Sequence, residues 1–356
     1  MGLFRRKKEA GTEEKSHFYH RFAQQELAGW SPVITAKVVV IYFFVVAAVC
    51  VALGVPVLVA SLGIVQYSVR YDDQGPMAGF NDQARHNLAA ARSARLHERG
   101  GAGVTIPVEI QVERDMQPPV YVYYSLHSFY QNHKRYVRSR NDGQLAGKTK
   151  DPNVKCQPQQ FVGGNASQPI NPCGLIAWSL FNDSFSATVA GPAGAQSTPL
   201  NLSESGIAWG YDKTHLYGAY RPTNFNSDPA YRGGNMSTVP VNQNEHLMVW
   251  MKPAAKPSFR KLWAIIRDPI PAGSVVRIVV QNRFNTYDFG GAKEFVLSTN
   301  SWMGGKNLFL GVAYLVVGGL AFLTALAFLV ANYTGCFGAL RRRKFGDVSV
   351  LSWNRK

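Results

Sequence analysis

The segment Asp212-Lys213-Thr214 has the residue types of a motif in which an aspartate accepts a phosphoryl group from ATP. That motif requires a glycine next, whereas His215 follows here. A second segment, Gly304-Gly305-Lys306, lacks the first glycine of a phosphate-binding loop, and Asn307 replaces its Ser or Thr. Neither segment therefore predicts a nucleotide site.

Other residue types that carry out chemistry are scattered along the chain. The eight histidines form no HExxH pair, and the four cysteines lack the spacing of a zinc site. No Gly-x-Ser-x-Gly elbow and no acidic cluster indicates a nucleophile or paired catalytic carboxylates. We therefore expect a chain that is not itself an enzyme and that has no catalytic residue, metal or cofactor.

Two uncharged apolar runs, residues 38–65 and 308–331, dominate the pattern of the 356-residue chain. As helices rising about 1.5 Å per residue they would exceed the roughly 30 Å of a bilayer's hydrocarbon core. They predict two transmembrane helices, the first an uncleaved signal anchor, and they exclude a soluble cytoplasmic enzyme.

Basic residues are concentrated beside these runs. Residues 5–8 and 341–344 are all Lys or Arg, and the net charge of the chain is +16. By the positive-inside rule, we expect cytosolic tails at 1–37 and 332–356 and a lumenal or extracellular domain at 66–307. The charge thus predicts no nucleic-acid partner, and two interpretations of the basic clusters stay open, namely contact with anionic membrane lipids and a role as topology signals alone.

The middle segment has features that are typical of proteins in an oxidising compartment. It contains Cys156 and Cys173, which are predicted to form a disulfide, whereas Cys50 lies in the first run and Cys336 just beyond the second. Four sequons predict N-glycosylation in this segment, at Asn165, Asn182, Asn201 and Asn235. Both features agree with the orientation that the charges predict.

Alternation of apolar and polar residues over 104–112 predicts a half-buried strand, with Pro107 at an edge or bulge. Further β-rich runs are at 120–124, 185–189, 246–250, 275–280 and 294–298. Because no βαβ spacing is present, we expect antiparallel sheets packed as a β-sandwich. Residues 83–99 are predicted to be helical, and 191–202 and 223–241 are predicted to be loops.

Small residues recur within both predicted spans. They are Gly311, Gly318 and Ala325 in the second span and Ala48, Ala52, Pro56 and Ala60 in the first. Such spacing lets helix backbones approach closely in lipid. Two alternatives remain open, namely packing of the spans against each other and docking to a helix of a partner.

Several segments carry the motifs of one family. The most specific are PPVYVYYSLHSFYQNHKRYVRSR at 118–140 and PCGLIAWSLFND at 172–183, and SWMGGKNLFLGVAYLVVG at 301–318 leads into the second span. From about Phe22 to Ala331 the chain resembles the cell-division-control protein 50 and ligand-effect modulator family, the β-subunits of type IV P-type ATPases that flip phospholipids. It departs from the family in lacking a second cysteine pair near the first span.

The resemblance implies a noncatalytic subunit, with two spans and a glycosylated ectodomain, that forms a heterodimer with a ten-span ATPase. It further implies a role in the ATPase's exit from the endoplasmic reticulum, its stability and its transport cycle, with the mature complex in Golgi, endosomal or plasma membranes. Candidate partner contacts are Phe22, Leu27, Trp30, Tyr130, Asn132, Arg135, Trp302, Gly305, Lys306, Asn307, Gly311 and Gly318.

Alternatives to these roles stay open. The turn around Tyr130 could instead be a buried tyrosine corner with a hydrogen-bond network, and Trp302 an ordinary residue of the membrane boundary. For the whole chain, the alternatives are a two-span ligand-gated channel subunit and a self-standing surface glycoprotein receptor. The spans offer almost no polar residues for a pore, which disfavours the channel.

Overall fold

The computed structural model describes residues 22–24, 36–78, 93, 103–191, 197–225 and 239–334. The chain forms two compact units, one of Met1–Pro56 with Phe309–Lys356 and the other of Val57–Leu308. The first unit contains most of two long apolar helices. The second contains an antiparallel β-domain with short helices in its loops.

Six helices of the described residues are used below. They are α1 (Ala36–Leu62), α2 (Lys134–Arg138), α3 (Asp142–Leu145), α4 (Leu175–Trp178), α5 (Glu245–Trp250) and α6 (Leu308–Thr334). Only α1 and α6 among them are long and apolar enough to cross a membrane. The chain is thus an integral membrane protein with a span near each end.

The first apolar run is not helical to its end. α1 stops at Leu62, whereas the run extends to Val65. The N–H of Val65 donates to Oγ1 of Thr299 at 3.0 Å, and the N–H of Thr299 donates to the carbonyl oxygen of Val65 at 2.9 Å. These bonds commit Val65 to the β-domain.

The strands form two sheets, and every strand pair is antiparallel. The strands are β1 (Gln66–Arg70), β2 (Val104–Gln111), β3 (Val120–His127), β4 (Ser184–Ala190), β5 (Thr198–Pro199), β6 (Leu202–Ser203), β7 (Phe259–Ile266), β8 (Val275–Asn282) and β9 (Ala292–Ser298). One sheet has the order β1-β9-β3-β7-β6 and the other β2-β8-β4-β5.

The two sheets pack face to face through aromatic side chains. Phe185 of β4 lies edge-on to Trp263 of β7 and Phe295 of β9, with ring centroids 5.0 and 5.2 Å apart. All three side chains are buried in one continuous core. The predicted antiparallel β-sandwich between two membrane helices is therefore confirmed.

The alternating segment at 104–112 forms β2 as predicted. Its even-numbered residues, from Val104 to Ile110, are buried, and its odd-numbered residues are exposed. β2 is an edge strand, so the missing N–H of Pro107 disrupts no interior hydrogen bond.

One predicted strand is wrong, because residues 246–250 belong to helix α5. Asn244 precedes this helix, and its Oδ1 atom accepts a hydrogen bond of 2.9 Å from the N–H of Leu247. This side-chain cap starts a helical turn whose apolar residues face the core. Of the predicted helix at 83–99, only Ser93 lies within the described residues.

Four strands, β1, β5, β6 and β7, were not predicted. The prediction of a loop over 191–202 is wrong where the two-residue strands β5 and β6 form, which are too short to show a period, and polar residues interrupt the apolar pattern of β1 and β7. In β7, Lys261 is buried, and its Nζ atom donates to the carbonyl oxygens of Val249 and Trp250 at 2.9 and 3.1 Å. The ammonium group thereby satisfies carbonyls at the C-terminal end of α5. The lysine that interrupts the apolar pattern of β7 therefore holds the neighbouring helix α5 in place.

Candidate functional surfaces

The segment 128–140 follows β3 and contains buried polar residues. Gln131 is fully buried, and its Oε1 atom accepts a hydrogen bond of 2.9 Å from the N–H of Ala254. The side chain of Asn132 donates to the carbonyl oxygen of Ala255 at 3.0 Å. These bonds fix the turn to the chain that follows α5.

Tyr130 and Arg135 in the same segment face outward. The side chain of Tyr130 is 62% exposed, so a buried tyrosine corner at this position is wrong. Neither side chain forms a hydrogen bond or ion pair with a residue that the structure describes. With Trp178 and Phe289, they line an open cavity of about 720 Å³. The structure thus brings together two of the three candidates from this turn, and Asn132 instead has a structural bond.

A tight turn directly precedes α6. Ser301 and Gly304 exchange backbone hydrogen bonds of 3.0 and 2.9 Å, and Gly304 has a φ of +99°, which suits glycine. Trp302 is 79% exposed. The N–H of Asn307 donates to Oγ of Ser61 at 2.9 Å, so the turn is attached to the end of α1.

Gly305 lies against the side chain of Arg260. A methyl group at position 305 would overlap Nη2 of that guanidinium. Nη1 of Arg260 donates to Oε1 of Gln66 at 2.9 Å, and the guanidinium carbon lies 5.0 Å from the ring centroid of Tyr123. Gly305 therefore leaves space for a bridging arginine, while the adjacent Lys306 is exposed.

The two spans pack through small residues. A Cβ atom at Gly318 would lie 3.0 Å from Cβ of Cys50 and 3.4 Å from the carbonyl oxygen of Ala47. A Cβ atom at Gly54 would lie 3.0 Å from Cβ of Tyr314. The absence of side chains at both glycines thus allows close approach of the helices.

The small residues that recur every four positions in α1 do not lie on the face that packs against α6. Gly311 and Ala325 of α6 are buried, whereas Ala48, Ala52 and Pro56 of α1 are exposed. The face of α1 that packs on α6 is rotated from those small residues and contains Ala47 and Gly54. Spacing alone could not distinguish these two faces of α1.

Glu245, which was not a sequence-based candidate, orders the segment ahead of it. Its carboxylate accepts hydrogen bonds from the N–H groups of Gly206 and Ala208 at 3.0 and 2.8 Å and pairs with Lys213. Burial raises the pKa of Glu245, but these donors outweigh burial and lower the pKa below its ordinary value. An acidic residue at the start of an apolar run was the available signal.

The first two residues of the aspartate segment are held in ion pairs. Asp212 pairs with Lys252, and Lys213 pairs with Glu245. The ammonium of Lys252 also lies 4.9 Å from the ring centroid of Trp209. These contacts give both residues a structural role at the surface of the β-domain.

The predicted cysteine pair lies in a braced loop. Cys156 and Cys173 are joined by a disulfide, with their Cα atoms 5.6 Å apart. The buried side chain of Gln144 accepts a hydrogen bond of 2.9 Å from the N–H of Cys173 and donates to the carbonyl oxygens of Lys150 and Ile170 at 2.9 and 3.2 Å. The segment that contains Cys173 is therefore linked covalently to Cys156 and, through the amide of Gln144, to α3.

The remaining predicted residues are at the surface or outside the described residues. Asn165 and Asn201 are exposed, Asn182 is half-buried, and Phe22 is exposed. Those outside the described residues are Leu27, Trp30, Asn235 and Cys336. Among described residues, no group of three or more His, Cys, Asp or Glu side chains could hold a metal ion.

Comparison with known proteins covers nearly the whole chain. It is 40% identical over 349 residues to ALA-interacting subunit 3 of Arabidopsis thaliana, covering 97% of this chain and 93% of that protein. It is 33% identical over 338 residues to cell cycle control protein 50A of Bos taurus, covering 88% of each chain. It is 29% identical over 376 residues to the phospholipid-transporting ATPase accessory subunit CDC50 of Chaetomium thermophilum, covering 94% of this chain and 90% of that protein.

A family model covers the β-domain and the second span. Residues 57–336 match the model described as the LEM3 (ligand-effect modulator 3) family / CDC50 family. That range contains the disulfide, the turn at Gln131 and the turn at Gly305. The chain therefore belongs to the LEM3/CDC50 family.

Proposed function

We propose that this chain is the noncatalytic β-subunit of a phospholipid-translocating type IV P-type ATPase, with which it forms a heterodimer. The observation that carries the proposal is the family match over residues 57–336, joined to relatives whose names specify ALA interaction or a phospholipid-transporting ATPase accessory subunit. In this role the chain supports the ATPase's exit from the endoplasmic reticulum, its stability and its transport of phospholipid.

The orientation belongs to the same proposal. Both tails lie in the cytosol, because residues 5–8 and 341–344 are basic clusters close to the spans. The β-domain lies in the lumen or outside the cell, in endoplasmic reticulum, Golgi, endosomal or plasma membranes. A disulfide and the sequons at Asn165, Asn182 and Asn201 suit that side.

The turn before α6 is the proposed contact nearest the membrane. Trp302 and Lys306 are exposed, whereas Gly305 and Asn307 attach the turn to Arg260 and to α1. A well-fixed turn presents an aromatic side chain with little loss of conformational freedom on binding. The partner thus contacts Trp302 and Lys306 directly, and Gly305 acts by fixing them.

Two further contacts complete the proposal. In the cytosol, Phe22, Leu27 and Trp30 offer apolar side chains; in the membrane, Gly311 and Gly318 shape the helix pair on which the partner docks. Contacts in three compartments reinforce one another, because the first to form raises the effective concentration of the others.

Co-purification tests the proposal. The full-length chain is expressed with a type IV P-type ATPase, purified in mild detergent and analysed by mass spectrometry and by phospholipid-stimulated ATP hydrolysis. We expect the ATPase in the complex and a several-fold loss of it in the double variant Trp302→Ala with Gly305→Leu. Tyr211→Ala, which removes an exposed aromatic side chain elsewhere, is the matched control and should retain the ATPase.

The possible results test the proposed contact at the turn before α6 and the proposed β-subunit function separately. Unchanged co-purification and turnover in the double variant would mean that the turn before α6 is not a contact. If the wild-type chain were purified without any ATPase, the proposed function itself would be contradicted. Ligand-evoked current from a bilayer containing only this chain would favour a channel subunit instead.

A further inference from the structure

We propose that the β-domain has a docking site for an acidic peptide segment of a partner protein, in the cavity lined by Tyr130, Arg135 and Trp178. The site is distinct from the turn before α6, and it does not depend on the identity of the ATPase partner.

The cavity has the size and lining of a recognition site. Its volume of about 720 Å³ lies within the usual range of ligand-binding clefts. Its apolar lining consists of Leu175 and five aromatic rings, those of Phe129, Tyr130, Tyr136, Trp178 and Phe289. Aromatic walls bind apolar side chains with a large area of contact and little loss of side-chain entropy.

The side of the cavity formed by α2 is basic. Helix α2 contributes Arg135 to the lining and also carries Lys134 and Arg138; all three are exposed, and none forms an ion pair with a described residue. Asp288 is the acidic residue of the lining, and its Oδ2 atom accepts a hydrogen bond of 2.9 Å from Asn285, so one carboxylate lies near three cationic side chains. The net charge of α2 and the lining is therefore positive, which favours carboxylates on the ligand.

The frame around the cavity is already fixed without a ligand. The hydroxyl groups of Tyr136 and Ser179 are 2.7 Å apart, which joins α2 to the residue after α4. The buried Gln131 holds the turn from behind through Ala254. Because these bonds immobilise the walls, a ligand would not have to order them on binding.

The cavity is remote from the places where the β-domain joins the spans. β1 begins and β9 ends beside Tyr121, through the paired residues Gln66 and Ser298. The cavity residues begin after His127, about 20 Å further along β3 at about 3.3 Å per residue. A partner can therefore occupy this site while the turn before α6 is engaged.

Peptide binding to the full-length protein tests the inference. The protein is placed in phosphatidylcholine nanodiscs, and the probe is a fluorescein-labelled peptide in which Asp and Glu alternate with Phe and Leu. A peptide with Lys in place of each acidic residue is the control. By fluorescence anisotropy we expect the acidic peptide alone to bind, and its affinity to fall as salt rises.

Two variants locate the binding. Arg135→Glu combined with Tyr130→Ala should weaken the acidic peptide about tenfold or more, since both residues are exposed and the frame bonds remain. Arg267→Glu makes the same charge change at the opposite end of the sheet and should leave the affinity unchanged.

Three results would overturn the inference. They are equal binding of the acidic and basic peptides, equal weakening by Arg267→Glu, and no binding of the acidic peptide. Binding of anionic lipid vesicles that depends on Arg135, with no binding of the peptide, would also overturn it and would identify the basic side of the cavity as a membrane-binding surface.

Discussion

The Nζ atom of Lys293 lies 2.7 Å from Oδ2 of Asp183, and both side chains are fully buried. The same carboxylate accepts hydrogen bonds from the hydroxyl of Tyr71 at 2.7 Å and from the N–H groups of Arg283 and Phe284 at 2.5 and 2.6 Å. Burial lowers the pKa of Lys293, and the adjacent carboxylate opposes that shift. This ion pair joins β9 to the residue before β4, and therefore one sheet to the other.

Removing one charge of this pair should destabilise the β-domain severely. Lys293→Met leaves the carboxylate of Asp183 buried without its counter-charge, which costs about 3–5 kcal/mol. Denaturant unfolding of the purified full-length protein measures the loss, and Lys148→Met at an exposed position is the control. Adding Asp183→Asn to Lys293→Met should cost less than the sum of the single changes, and simple additivity would argue against coupling.

Glu245 should make stability depend on acidic pH. Its folded-state pKa lies below the ordinary value of 4.5, so the folded protein binds fewer protons than the unfolded chain as pH approaches that value from above. The stabilisation is therefore present above pH 4.5 and is lost as pH falls through the folded pKa. Glu245→Gln should reduce stability at pH 7 and flatten its decline at acidic pH.

Denaturant midpoints measured from pH 7 down to the acidic limit of solubility check this expectation. Glu113→Gln, at an exposed position outside the described ion pairs, should leave the curve unchanged. An equally steep acidic decline in Glu245→Gln would assign the pH dependence to other carboxylates.

Gly174 should tolerate no side chain. It has a φ of +107°, and a methyl group there would overlap the carbonyl oxygen of Ser139, a backbone atom that cannot rotate away. Gly174→Ala should prevent the segment after Cys173 from packing and sharply lower the yield of mature, disulfide-bonded protein. Gly163→Ala is the matched control, because its φ of +56° carries the strain of about 1–2 kcal/mol without any atom within 4 Å.

The packing of the spans can be tested by cross-linking. Gly318→Cys would place a thiol beside Cys50, because a Cβ atom at position 318 lies 3.0 Å from that of Cys50. With Cys336→Ser and a protease site inserted within 226–238, oxidation should keep the two cleaved fragments together on a non-reducing gel. Gly319→Cys, which has no neighbouring atom within 4 Å, should not cross-link. Equal cross-linking of both variants would contradict the observed helix faces.

Long apolar runs and strict alternation predicted the corresponding elements well. The apolar runs predicted both spans, and the alternation from Val104 onward predicted β2. The short run 246–250 was ambiguous because four or five apolar residues fit a strand and a buried helical turn equally. The cap at Asn244 decides in favour of the helix.

The candidate surfaces were harder to predict because turns have no period. Gln131 and Tyr130 are neighbours in the chain, yet one is buried and the other exposed. The sequence likewise could not pair Asp183 with Lys293, since 110 residues separate them. Long-range polar contacts depend on the packing of the sheets, which no local pattern encodes.

The two hydrogen bonds between Val65 and Thr299, one accepted by the threonine hydroxyl and one between backbone groups, have a mechanical consequence. The strands that continue from these residues, β1 and β9, run antiparallel, so both connections to the bilayer leave from the same end of the pair. A force that spread the connections apart would unzip the strands one bond at a time, starting at this junction. A helix of a partner inserted between the two strands would have to break their pairing, whereas one that binds beside the β1/β9 pair would leave it intact.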